Sequence, residues 1–167
     1  MPHRTEDTTE FQTLPFSEKL ILWAVRFWVD ALKREVNAQS VLRNALRLAG
    51  ARDAHPPLDD LLTILATSAN NGIDVRCPKC PSVSPDERRL IGAIAAWQHD
   101  LDPAFADSFM SPWLPPSALR VARTPAAQLA RTLKEAGLRL RMQDRALRQP
   151  EQGRPEIADE GQPITLH

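Results

Sequence analysis

From Leu20 to Val36 the chain carries more apolar surface than one covered helix face can hide, and no other stretch constrains the fold as strongly. Leu22, Val25, Val29, Leu32 and Val36 recur at steps of three and four, the spacing of one side of an α-helix. Ile21, Ala24, Phe27, Trp28 and Ala31 fill the adjoining stripe. A helix apolar over most of its circumference sits at the centre of a bundle or at an interface between chains. Trp23, Phe27 and Trp28 are therefore the candidate interface residues, and a homodimer is the expected assembly. The most apolar part, Leu20 to Leu32, contains Arg26 and Asp30 and falls short of the roughly 20 apolar residues of a membrane span. Partners are accordingly sought among proteins, a second copy of this chain first, and not in a membrane.

Further helices follow from local signals. Val41, Leu42, Ala45, Leu46 and Ala49 continue the periodicity after a break around Asn37 to Ser40, and Gly50 supplies a left-handed stop. Pro56 and Pro57 open a short helix from Leu58 that Asn71-Gly72 ends. Ser84-Pro85-Asp86-Glu87 combines a capping serine, proline at the first helical position and a glutamate placed to reach back to the cap. The inner face of that helix is Leu90, Ile94, Trp97 and Leu101. Asp102-Pro103 starts another short helix, and Ser111 to Pro116 is a proline-rich strap around Trp113-Leu114. Ala118 to Arg123 reads as a turn of helix, after which Thr124-Pro125 starts a new one ending at Gly137. Leu138 to Arg148 fits strand alternation or a helix, with helix favoured. The fold class is all-α: a compact bundle of about five to six helices spanning residues 14–148, a mobile arm at 1–13, and a disordered acidic tail containing proline and glycine at 149–167.

The formal charge of zero is a cancellation. Residues 1–119 carry 12 basic and 15 acidic groups, residues 120–148 carry 8 and 2, and residues 149–167 carry 1 and 4. Arg131, Arg141, Arg145 and Arg148 are the candidate polyanion contacts within the basic segment, the last three on one face if it is helical. The competing reading is a solvated face paired with the acidic body or tail. Nucleic-acid binding lacks supporting helix-turn-helix spacing or an aromatic platform. Arginine outnumbers lysine seventeen to four, a bacterial pattern associated with high GC content.

Val75-Arg76-Cys77-Pro78-Lys79-Cys80 resembles the knuckle of zinc ribbons and rubredoxin-like sites, which implies two thiolates aimed at one metal. Cys77 and Cys80 are the metal candidates and zinc the candidate cofactor. A structural site needs four ligands, and no second Cys-x-x-Cys occurs. His3 and His167 lie in the expected tails, His55 stands beside two prolines, and His99 lies roughly 20 Å from Cys80 along the intervening helix. Zinc would therefore bridge the cysteine pairs of two chains. The same Cys-Pro-x-Cys is similar to the redox motif of glutaredoxins, without their βαβ context. Against both stands a surface turn with two free thiols.

No nucleophile elbow, phosphate loop, dinucleotide fingerprint or His-Glu-x-x-His pair is present. Asp59-Asp60 and Asp86-Glu87 sit where helix starts favour negative charge. Catalysis is not expected, and no catalytic residue is nominated. The polar start, Met1 to Gln12, has no signal-peptide pattern, and two cysteines three apart cannot staple distant segments, so a cytoplasmic interaction or regulatory protein is the expectation.

Overall fold

The computed structural model describes residues 9–142. Six α-helices succeed one another: α1 Phe16–Lys33, α2 Gln39–Leu48, α3 His55–Ser68, α4 Pro85–Gln98, α5 Pro103–Met110 and α6 Pro116–Glu135. Short 3-10 turns at Phe11–Thr13 and Arg52–Ala54 complete the regular structure. Among the described residues no strand forms beyond one isolated bridge between Glu10 and Ser82. The chain is an all-α bundle, and the strap between α5 and α6 buries Trp113 and Leu114.

Helix α4 forms where the sequence says it must. The Ser84 hydroxyl accepts from the Glu87 amide at 3.0 Å, while the Glu87 carboxylate accepts from the Ser84 amide at 2.9 Å. Two otherwise unpaired amides are thereby satisfied. This helix is central, touching α1, α5 and α6, and α3 lies along α6. Gly92 permits the close approach of α5: a Cβ there would stand 2.6 Å from the Phe109 ring. The main core runs through Ile21, Leu42, Leu58, Leu61, Ile94, Met110, Leu129 and Leu133, and a smaller cluster of Leu14, Leu22, Val83 and Ile91 seals the opposite side of α1.

Four details depart from the sequence reading. Residues 9–13, assigned to a mobile arm, pair with the loop before α4: Phe11 N donates to Pro81 O at 2.7 Å and Val83 N to Thr9 O at 2.9 Å. Helix α6 does not restart at Pro125 but runs through it. The ring removes the amide that would bond the Val121 carbonyl, but Val121 is exposed to water, while Ala122, Pro125, Ala126 and Leu129 are buried. Burial outweighs one missing hydrogen bond. The segment after Gly137 is not helical at 138–142. Gln98, buried on α4, donates to Leu138 O at 2.9 Å and accepts from Leu140 N at 2.6 Å, so this backbone is held extended by a side chain. Finally, α1 ends at Lys33, where Glu35 takes a left-handed φ of 56° and Val36 N bonds Ala31 O at 3.0 Å, a Schellman closure without glycine. Residues 1–8 of the expected arm, 143–148 and the acidic tail lie outside the described residues.

Candidate functional site

Arg26 lies in the apolar stretch of α1 and is wholly buried, as is its partner Glu87 on α4. Lys, Arg and Glu are almost never fully buried unless paired, so an arginine on the inward side of such a helix demands a specific acceptor. Arg26 Nε donates to Glu87 Oε1 at 2.8 Å and Nη2 to Oε2 at 2.9 Å, a bidentate fork. Its remaining donors reach backbone: Nη1 to Cys80 O at 2.7 Å and Nη2 to Ser82 O at 2.8 Å. Glu87 also accepts from Arg76 N at 2.9 Å. The Phe11 ring covers the guanidinium, whose carbon stands 5.0 Å from the ring centroid.

This pair therefore fixes the cysteine turn from both sides. Arg76, Cys80, Ser82 and Ser84 are all tied to Arg26 or Glu87, and the Ser84 hydroxyl bonds the Asp74 carbonyl. Within that frame Cys80 N donates to Cys77 O at 3.0 Å, closing the turn. The two sulfurs lie at bonding distance with their Cα atoms 5.2 Å apart. Cys77 is exposed and Cys80 half-buried. The pair is thus joined, in contrast to the two free thiols of the surface-turn reading.

As a metal centre the turn would supply two sulfur ligands once its disulfide is reduced. No group of three or more His, Cys, Asp or Glu among the described residues is arranged to hold a metal ion. His99 is at the far end of α4, its Nε2 2.8 Å from Leu140 O. His55 is buried at the start of α3, with an Nε2 that finds no partner. Burial, and next the positive charge of Arg43, lower its pKa, partly opposed by Asp59. A zinc site at this turn would need ligands from beyond the described residues of one chain.

The aromatic candidates on α1 divide. Trp23 and Phe27 are half-buried and stacked, with centroids 5.3 Å apart, against the main core. Trp28 faces an apolar groove of about 450 Å³ between α1 and α3, with its Nε1 donating to Asp59 at 2.7 Å. Val25, Val29 and Leu32 of α1, Leu62, Leu65 and Ala66 of α3, and Asn70, Asn71, Ile73 and Val75 of the following loop are among its lining residues. A neighbouring hollow of about 300 Å³ shares Trp28 and Leu32 and adds Val36 and Ala38. Leu32 and Val36 are 54% and 58% exposed.

Three of the six described basic residues of the segment, Arg123, Lys134 and Arg141, are engaged with the body. Arg123 Nε donates to Asp107 Oδ2 at 2.9 Å, and that bond holds the Arg123 pKa above its ordinary value. Arg141 Nε donates to the buried Glu18 at 3.1 Å, and its pKa is likewise raised by that hydrogen bond. Lys134 pairs with Asp100 at 3.2 Å. Arg131 is exposed on α6; Arg145 and Arg148 lie outside the described residues, so the face expected with Arg141 is not built at 138–142.

Sequence reasoning took Arg26 only as a charge interrupting an apolar run, and Glu87 only as a cap. The missed signal was their coexistence: a buried arginine requires a carboxylate, and a capping glutamate stands beside the cysteine motif. Compared with known proteins, the chain matches no family model, no curated protein and no solved structure. Among the described residues no helix is long and apolar enough to cross a membrane.

Proposed function

We propose that this chain is a small helical interaction protein that pairs with a second copy of itself through the face formed by α1 and α3. The observation that carries the reading is the emergence of the α1 apolar stripe from the core beside the groove: Leu32 and Val36 project at its edge while Trp28 and Leu62 line it. A two-fold contact uses the same patch on both partners, so it needs a projection and a hollow side by side. Polar residues border this patch, Asn70 and Asn71 at the groove and Asn37 and Gln39 at the neighbouring hollow, which matches an apolar centre within a hydrophilic rim. The interface thus moves from Trp23 and Phe27 toward Trp28, Leu32 and Val36.

The test is substitution at the exposed positions. Leu32→Glu combined with Val36→Glu places four carboxylates in a two-fold contact and is expected to abolish self-association seen by light scattering. Each side chain is exposed, so folding should change by no more than about 0.5 kcal/mol per site. Val121→Glu, 61% exposed on α6, serves as the control and should leave association intact. Unchanged assembly in the double variant would remove the reading.

A further inference from the structure

The Cys77–Cys80 bond is poorly suited to a structural role. Its two cysteines are only three residues apart, and a disulfide that closes so short a loop removes little freedom from the unfolded chain. The loop is moreover already held without it, because Arg26 binds the Cys80 and Ser82 carbonyls and Glu87 binds the Arg76 and Ser84 amides. What distinguishes the pair is access. Cys77 is exposed on the surface, Cys80 is half-buried behind it, and Lys79 between them is exposed and sets a positive charge beside a sulfur that becomes thiolate.

We propose that Cys77 and Cys80 form a reversible thiol–disulfide exchange site, with Cys77 as the sulfur that meets an external thiol and Cys80 as the resolving cysteine. In the reductive direction an external thiolate attacks Cys77 Sγ. The Cys77–Cys80 bond breaks, and its electron pair leaves on Cys80 as a thiolate that takes up a proton. A second external thiolate attacks the external sulfur of the mixed disulfide, releasing an external disulfide and the Cys77 thiolate, which takes up the second proton. Two thiols are oxidised to one disulfide while the protein pair gains two electrons and two protons. The reverse sequence oxidises the pair. The buried Arg26–Glu87 scaffold keeps the turn folded in both states, so the two sulfurs remain close when reduced and the bond closes again without refolding. This inference is independent of the α1–α3 pairing.

The full chain is equilibrated in glutathione buffers of varied reduced-to-oxidised ratio, quenched with acid, alkylated and weighed by mass spectrometry. Both thiols are expected to appear and disappear together, with far-UV circular dichroism and the melting temperature nearly unchanged. In Cys80→Ser the lone Cys77 should accumulate a glutathione mixed disulfide. It should also alkylate about tenfold faster than Cys80 does in Cys77→Ser, following the difference in access. A bond that excess dithiothreitol cannot reduce in the folded protein would overturn the proposal. So would unfolding upon reduction, or equal reactivity of the two single cysteines. Zinc bound at one ion per two chains that protects both reduced cysteines would assign the turn to metal bridging instead.

Discussion

Replacing Glu87 with glutamine tests whether the buried ion pair organises the molecule. The two side chains are nearly isosteric, so packing is preserved and only charge and hydrogen-bonding capacity change. Glu87 accepts four hydrogen bonds: two from Arg26, one from the Arg76 amide and one from the Ser84 amide. The glutamine carbonyl can replace one oxygen, but its NH₂ group then faces donors at the other. If it keeps the Oε1 position, the Arg26 Nη2 and Ser84 N–H groups lose their acceptor; if it flips, the Arg26 Nε and Arg76 N–H groups do. Arg26 remains fully buried with its charge uncompensated. Removing one partner of a buried pair costs about 3–5 kcal/mol, a large share of the roughly 5–15 kcal/mol that stabilises a typical domain. For a folded body of this size each kcal/mol corresponds to about 2–5 °C, so the melting temperature should fall by roughly 6–25 °C. Urea denaturation read by circular dichroism gives the free energy directly. Arg26→Met in the Glu87→Gln background should recover part of the loss, because no buried charge is left unpaired. A cost below about 1 kcal/mol for Glu87→Gln, or strictly additive effects in the double variant, would refute the reasoning.

Three other substitutions probe separate parts of the account. Glu35→Gly relieves a left-handed backbone at φ 56° on an exposed residue and should stabilise by about 1 kcal/mol in urea melts. Gln98→Leu leaves Leu140 N and Leu138 O without partners and should cost about 1–3 kcal/mol, with amide exchange of residues 138–142 accelerating by tenfold or more. His55 has a folded-state pKa below its ordinary 6.5, so the unfolded chain takes up the proton first and its contribution to stability is lost as pH falls below about 6.5. His55→Leu should flatten the decline in urea midpoint between pH 7 and 5.

The sequence displayed those features whose cause is local. The capping box at Ser84 and Glu87 fixes the start of α4 because both partners lie within one turn, and Gly50 and Gly137 end helices because their left-handed φ is a single-residue property. Long-range effects were hidden. The extended course of residues 138–142 depends on Gln98, some forty residues earlier, and the persistence of α6 through Pro125 depends on burial against other helices. Glu35 takes a left-handed position that favours glycine, and no glycine marks that helix end in the sequence. The site was half visible for the same reason: the cysteine motif is contiguous, but Arg26 lies sixty-one residues from Glu87 and fifty-four from Cys80. Periodicity likewise marks Trp23, Phe27 and Trp28 as one apolar set on α1 without showing that Trp28 is the one that lines the groove.

Pairing through α1 and α3 is tested most directly by sedimentation equilibrium of the unmodified chain from low to high micromolar concentration, above and below its association midpoint. The account predicts a mass rising toward twice the 18.7 kDa of one chain. A mass that stays at 18.7 kDa throughout that range would contradict it.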